Sequence, residues 1–321
     1  MVDKNSEVLV SVLCTAYNHE KYIRKCLDGF IMQKTNFKYE VLINDDASTD
    51  NTAQIIREYE EKYPEIIKPM YQTENQYSKG VKITTKILAP QAKGKYIALC
   101  EGDDYWTDEN KLQLQVDAME MHPECKMCVH KVKVFYETLD KNEYYPPFPL
   151  ETKSMDSNEF MKITKNYAFQ TSSYVFDAEA FKTYAIENPL FKQISPVDDI
   201  CYLLYFGHKS SVYYIDQVMS NYRKESIGSW NWRRERASQE EYRRNHLLKM
   251  VKVYQEFDKY TKGKYHSLMQ EKIFNMLWYM EDFKTMASKE YAVHRKNYSL
   301  KQRIYIWLKA YFPHIMQVFK K

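Results

Sequence analysis

Glycine is scarce in this chain, with seven in 321 residues and no Gly-x-Gly anywhere. That excludes the Gly-rich turns whose backbone amides cradle a dinucleotide pyrophosphate or a nucleoside triphosphate. Any phosphate bound here must be held by side chains and a cation. Apolar runs are also short, well under the roughly 20 residues that cross a bilayer as a helix. No basic-then-apolar leader opens the sequence. These absences predict a cytoplasmic protein, in which the six cysteines (Cys14, Cys26, Cys100, Cys125, Cys128 and Cys201) are reduced thiols. Cys125-x-x-Cys128 stands without a second pair or spaced histidines, so core packing is expected rather than zinc or redox chemistry.

What is present points to a soluble globular chain long enough to bury a large core. The 29 tyrosines supply flat rings with a hydroxyl, which suit carbohydrate faces as well as ordinary cores. Charge is uneven: Tyr291 to Lys321 holds seven Lys or Arg and no acid, so the formal +4 of the whole leaves residues 1–290 mildly acidic.

Strand and helix patterns alternate over the first 120 residues or so. Apolar runs at 8–16, 39–44, 66–71 and 95–100 read as strands. Tyr22–Ile31, Ala53–Tyr63 (capped by Ser48 or Asp50 and ended by Pro64), Ile83–Gln91 and Leu112–Glu120 (capped by Asp108) read as helices. This alternation predicts a doubly wound, mostly parallel sheet flanked by helices. Strands at 126–136, 171–176 and 212–215 follow, with a helix over 200–206 after Asp198-Asp199. Helices then run from about Ser238 to the end, including one over Leu268–Met286.

Two strands end in acid: Val41-Leu42-Ile43-Asn44-Asp45-Asp46, and Tyr96 to Cys100 followed by Glu101-Gly102-Asp103-Asp104. Clustered carboxylates beside buried strands are costly unless a cation offsets them, and a divalent metal is the usual one. In doubly wound sheets ligands collect beyond the carboxyl ends of the strands. Thr15, Asp45/Asp46 and Asp103/Asp104 all fall there. The bland alternatives are a helix-capping turn at 45–48 and an exposed acidic turn at 101–104.

Taken in order, Val10-Ser-Val-Leu-Cys-Thr-Ala-Tyr-Asn18, Asn44-Asp-Asp-Ala-Ser-Thr-Asp50, Glu101-Gly-Asp-Asp-Tyr-Trp106, Asp198-Asp199 and Tyr222-Arg-x-x-x-x-Gly-x-Trp230 resemble glycosyltransferase family 2 over residues 8–232. The resemblance implies a GT-A fold, with a glycosyltransferase domain over 1–235 and a helical region over 236–321. It also implies an inverting transferase that moves a sugar from a nucleotide-sugar, by expectation a UDP-sugar, to a hydroxyl of a glycan or lipid-linked glycan in surface polysaccharide synthesis. Carried over, Thr15, Ala16 and Tyr17 line the nucleotide, and Asp46, with Asp45 beside it, accepts from the base. Asp103 and Asp104 approach the diphosphate and a Mn²⁺ or Mg²⁺ ion, and Asp199 is the base. Lys79 or Lys82 are phosphate candidates. Arg223, Ser226, Ser229 and Trp230 belong to a flap over the donor, and Gln170 to Ser173 are candidates to line the acceptor. The pattern departs at Glu101, where the metal motif usually begins with Asp, and at Glu225, where relatives often carry His.

Ile304, Trp307, Leu308, Tyr311, Ile315, Val318 and Phe319 form an apolar helical face among basic residues, interrupted by Pro313. Such a segment suits peripheral contact with the inner membrane face, or packing on the body or a partner. Two other functions stand beside the transferase: an inactive sugar-nucleotide-binding or scaffold protein, and a sugar nucleotidyltransferase. The second normally opens with a Gly-rich basic loop, and residues 10–20 have neither Gly nor Arg. Nucleic-acid binding is not expected, because the positive charge sits in one short amphipathic segment.

Overall fold

The computed structural model describes residues 7–137, 139, 141–164, 169–224 and 239–313. Strand β1 (Val8–Ala16) is apolar apart from Ser11 and Thr15, with Val10, Val12 and Cys14 fully buried. It pairs in parallel with β2 (Lys38–Asp45) on one side and β4 (Tyr96–Leu99) on the other, and β3 (Ile67–Tyr71) extends the sheet beyond β2. The resulting order β3-β2-β1-β4 reverses direction between β1 and β4, which opens a crevice beyond their carboxyl ends. Helix α1 (Ile23–Ile31) follows β1 and α2 (Thr52–Lys62) follows β2, each burying one apolar stripe.

Past β4 the sheet becomes mixed. β9 (Val175–Asp177) runs antiparallel between β4 and β6 (Cys125–Phe135), and β10 (Ser211–Arg223) lies parallel to β6. The two-residue β5 (Tyr105–Trp106) pairs with the end of β10, while β7 (Glu143–Tyr145) and β8 (Lys153–Met155) pair with β6 and β10. Helices α3 (Lys111–Met121), α4 (Ser157–Ile163) and α5 (Ala178–Glu187) pack around this half. At Gly29 a β-carbon would come within 2.9 Å of the Trp106 carbonyl oxygen, so its absence lets α1 sit directly on β5. Phe30 then meets the Trp106 ring edge-on at 4.7 Å, which seats the acidic turn that precedes it.

The structure corrects four expectations. Residues 83–91 form a π turn (Thr84–Leu88) and a 3-10 turn (Ala89–Gln91) instead of an α-helix, because Pro90 lacks a donor and Thr84, Thr85 and Ile87 are β-branched. The strand expected over 171–176 is a 3-10 turn (Thr171–Ser173) leading into β9. β10 continues from the expected 212–215 through register shifts as far as Arg223, so Tyr222-Arg223 ends a sheet strand. The run 268–286 breaks at Glu281, whose φ is +53°, and restarts where Asp282 accepts from the Thr285 amide. Cys125 and Cys128 are buried, and Cys128 Sγ takes a bond from Gln115.

The chain divides into two compact units, Met1–Asn188 with Tyr202–Glu235, and Pro189–Cys201 with Arg236–Lys321. In the second unit α6 (Leu190–Gln193) places Phe191 against Phe257 and Tyr260 of α8 (Gln239–Tyr260), which explains why 189–201 groups with distant helices. α7 (Asp199–Lys209) begins in this unit. The unit also holds α9 (His266–Tyr279), α10 (Phe283–Met286), α11 (Ala292–Arg295) and α12 (Leu300–Tyr311). Among the described residues no helix is long and apolar enough to cross a membrane.

Candidate functional site

The end of β1 is bonded to both acidic turns of the first unit. Its Thr15 carbonyl accepts from the Gly102 amide and its Ala16 carbonyl from the Asp46 amide, each at 2.9 Å. Adjacent strands β2, β1 and β4 therefore deliver Asp45/Asp46, Thr15/Ala16 and Glu101–Asp104 to one rim. The loop after β1 is in turn stitched to the loop after β2. The Asn18 amide donates to Ser48 Oγ (2.9 Å), the Thr49 amide to Asn18 Oδ1 (2.8 Å), the His19 amide to Thr52 Oγ1 (2.7 Å) and the Glu20 amide to Asp50 Oδ2 (3.1 Å). Asn18 and Ala47 sit at φ +55° and +61°. For alanine that conformation costs about 1–2 kcal/mol, strain of the kind stored at functional rims.

Asp45 and Asp46 are both buried but differ in their bonding. Asp46 accepts from the Gln76 amide at Oδ1 (2.8 Å) and from the Tyr77 amide at Oδ2 (3.0 Å), and Asn75 Nδ2 reaches its carbonyl at 3.3 Å. It thereby anchors the 75–77 segment over the strand ends. Asp45 Oδ2 takes a long 3.4 Å bond from the Ser48 amide, and its Oδ1 is buried without a partner. Burial pushes the Asp45 carboxyl above the usual carboxylate range, against the pull of the Ser48 bonds. Of the pair, Asp45 has the open acceptor, whereas the sequence put Asp46 first.

In the second turn Glu101 is exposed, Asp103 half-buried and Asp104 buried. Gly102 has no room for a side chain: a β-carbon would lie 2.9 Å from His19 Nδ1 and 3.0 Å from Ile23 Cδ1. Asp104 Oδ1 accepts from the Arg223 amide at 2.8 Å. Burial, then the charges of Asp103 and Glu101, push the Asp104 carboxyl well up, opposed by Arg223. The Arg223 guanidinium donates to the Asp103 carbonyl (3.0 Å) and to Glu137 (2.9 Å) and stacks over Tyr22 at 4.7 Å. Expected at the donor, Arg223 braces the acidic turn from within the protein. Tyr222 lies beside the same turn, its hydroxyl pushed up by burial and by the charges of Asp104, Glu101 and Asp103.

Behind the turn lies a buried polar network. Lys111 Nζ donates to Gln115 Oε1 (2.7 Å) and sits 4.0 Å from the Trp106 ring centre. Gln115 Nε2 donates to the Ser173 carbonyl (2.8 Å) and Trp106 Nε1 to the Ser172 carbonyl (3.1 Å). These bonds tie the acidic turn to the 171–173 turn.

Glu101, Asp103 and Asp104 offer only oxygen, the donor set that Mg²⁺ and Mn²⁺ prefer. Among the described residues no three His, Cys, Asp or Glu side chains are grouped to hold a metal on their own. The turn therefore fits a cation whose coordination is completed by the oxygens of a bound phosphate, and Asp104, pushed up by burial and then by its acidic neighbours, is the group such a charge would relieve.

The other expected residues are more scattered. Tyr17 is half-buried on the first loop. Lys79 is ion-paired with Glu74 on the surface. Trp230, Glu225, Ser226 and Ser229 lie outside the described residues. Asp198 and Asp199 belong to the second unit, where Asp199 opens α7 and accepts from the Ile200 amide at 2.6 Å. Burial and the charge of Asp198 push its carboxyl up, while the Ile200 bond opposes them. Sequence reasoning overlooked the anchoring amides of Gln76 and Tyr77, the buried Lys111 and the role of Tyr222. Tyr222 stood in a motif that could have pointed to it, and Gln76 and Tyr77 lie in the segment Asn75 to Gly80, which resembles the family's segment flanking the base; Lys111 carried no such signal.

The model of glycosyl transferase family 2 matches residues 11–180. An uncharacterized protein of Mycobacterium tuberculosis is 36% identical over 224 residues, 69% of this chain and 60% of that protein, so the chain covers less than two thirds of that relative's length. An Escherichia coli protein, WfgD, named as a UDP-Glc:α-D-GlcNAc-diphosphoundecaprenol β-1,3-glucosyltransferase, is 29% identical over 35% of this chain and 42% of its own. Among solved structures, S. aureus TarS 1–349 in complex with UDP superposes with a TM-score of 0.58 at 16% identity, covering 94% of this chain and 79% of TarS. The Pyrobaculum calidifontis mannosyltransferase PcManGT with GDP-Man and Mn²⁺ gives 0.56 at 14% identity, covering 98% and 84%. At those identities the likeness is one of fold. The chain belongs to glycosyltransferase family 2 and has the GT-A fold.

Proposed function

We propose that this protein is an inverting, metal-assisted glycosyltransferase that moves a sugar from a UDP-sugar to a hydroxyl of a lipid-linked glycan. The observation that carries the reading is the bonding of β1 to both acidic turns, which brings three strand ends to one rim at the sheet's reversal point. The UDP bound by TarS and the diphosphoundecaprenol acceptor in the name of the E. coli relative support the choice of donor and acceptor.

In this reading Thr15, Ala16 and Tyr17 line the nucleotide, and the open Asp45 oxygen accepts from the base while Asp46 holds the covering segment in place. Asp103 and Asp104 would hold Mn²⁺ or Mg²⁺ together with the diphosphate. That ion supplies charge neutralisation for the departing nucleoside diphosphate. Asp199 takes the acceptor proton as the acceptor oxygen bonds to the anomeric carbon and the bond to the diphosphate breaks on the opposite face. A carboxylate suits this step because the hydroxyl gives up its proton only as bonding develops, and the raised Asp199 carboxyl is a better base than an exposed one. Arg223 contributes by bracing the turn, and Trp230 is assigned to closing over the donor. The protein would work at the cytoplasmic face of a membrane carrying its acceptor.

The test is slow hydrolysis of UDP-, GDP- and dTDP-sugars by the purified protein with Mn²⁺. A UDP-sugar should be consumed, and Asp103→Ala should weaken UDP binding in the presence of Mn²⁺ more than in its absence. Failure to bind any of the nucleotide-sugars, or equal loss with and without metal, would overturn the assignment.

A further inference from the structure

Helix α12 is held to its own unit by Ile306, which is fully buried. On its outer side Leu300 (64% exposed), Ile304 (49%), Trp307 (51%) and Tyr311 (55%) follow at spacings of four, three and four, which places them in one stripe. The Trp307 ring touches Phe312, itself exposed, with centroids 5.0 Å apart. Soluble surfaces rarely carry so many large apolar side chains in one contiguous strip without a use.

Beside the stripe opens a cleft of about 360 Å³ lined by Ala287, Arg295, Arg303, Ile306, Trp307 and Tyr311. Arg295 is fixed there because its Nη1 donates to the carbonyls of Met286 and Ser288. Arg303 is exposed, and none of the ion pairs among the described residues involves it. A cleft with two guanidinium groups and two amphipathic rings suits an anionic phosphate, since Arg matches phosphate oxygens in a bidentate fork. The surrounding sequence adds the matching charge, with seven basic residues and no acid between Tyr291 and Lys321.

We propose that this face docks on an anionic phospholipid surface, with a lipid phosphate held between Arg295 and Arg303. Trp307 and Tyr311 sit at headgroup level, and Leu300 and Ile304 enter the acyl boundary. Charge complementarity selects a membrane over a second copy of the chain, whose own basic segment would repel this one. The function of such docking rests on the lipid-linked acceptor proposed above, but the docking needs no donor chemistry, so the two readings fail separately.

The experiment is cosedimentation of the full chain with vesicles of phosphatidylcholine alone and with added phosphatidylglycerol. Binding should require the anionic lipid and weaken as salt is raised. Arg303→Gln should lower partitioning roughly fivefold, and Trp307→Ser roughly tenfold through lost apolar burial. Hydrolysis of the sugar donor, measured on the same preparations, should stay at the wild-type rate and so report intact folding. Equal binding to neutral vesicles, no binding by the wild-type chain, or unchanged partitioning of both variants would overturn the proposal. So would a loss of self-association by these variants in lipid-free solution. Vesicle binding by a wild-type chain that hydrolyses no donor would sink the transferase reading and leave the docking standing.

Discussion

Replacing Lys111 with methionine tests whether a buried ammonium truly stands behind the acidic turn. Lys111 has no exposed surface, and burial lowers its pKa from the ordinary 10.5 to about 7, despite the Gln115 bond and the Trp106 ring. The unfolded chain therefore binds a proton that the native chain gives up between about pH 7 and 10.5, and the contribution of Lys111 to native stability must rise with pH across that window. At about 1.36 kcal/mol per pH unit, the full range is worth about 4–5 kcal/mol. The neighbouring thiols ionise near 9 only in the unfolded chain, which lowers the stability of wild type and variant alike above that pH and cancels in the comparison. Burial holds Cys100 at about 11 and Cys128 at about 12, and His130 is kept neutral by burial and by Lys111 itself. Methionine leaves Gln115 Oε1 without its donor, a pH-independent loss of about 1–3 kcal/mol. The diagnostic quantity is therefore the slope. Urea unfolding at steps from pH 6.5 to 9.5, with amide exchange in β1 and β4 reporting the first unit, should show the Lys111→Met curve flatter than wild type. The stability of wild type relative to the variant should rise by about 3–4 kcal/mol from pH 6.5 to 9.5. Parallel curves would mean that Lys111 keeps its proton at no cost, and the account of the network would be wrong.

Two further outcomes bear on the site. Asp199→Asn should keep nucleotide binding while sugar transfer falls roughly 10²- to 10⁴-fold; transfer near the wild-type rate would place the base elsewhere. Asp46→Ala removes the acceptor for two backbone amides, each charge-assisted bond being worth about 1.5–3 kcal/mol. Hydrogen exchange at Gln76 and Tyr77 should accelerate by at least roughly tenfold, with weaker UDP binding. Unchanged protection at both amides would show that Asp46 does not anchor that segment.

The carboxylates at the rim were readable because each is set by local rules. A buried parallel strand writes itself as an apolar run, and the residue after it must stand at the sheet's edge, so Asp45, Asp46, Asp103 and Asp104 could be placed from pattern alone. The family order of motifs then suggested the chemistry proposed for them. The same local rules failed at 83–91, where apolar spacing suggested a helix that Pro90 and β-branched side chains do not sustain.

By itself the sequence determined the alternation from β1 through α1, β2 and α2 to β3, the acidic strand ends and the charge carried by the carboxy-terminal segment, since these depend on neighbours within a few residues. Only the tertiary structure decided which carboxylate oxygens are engaged and which is open. It also turned Arg223 inward as a brace, buried Lys111 under Trp106 and grouped residues 189–201 with the distant helices. Those outcomes depend on partners far apart in the chain: 119 residues separate Arg223 from Asp104, and 30 separate Gln76 from Asp46. A polar side chain is committed by whichever donor or acceptor folding brings within 3 Å or so, and no spacing in the sequence records that meeting.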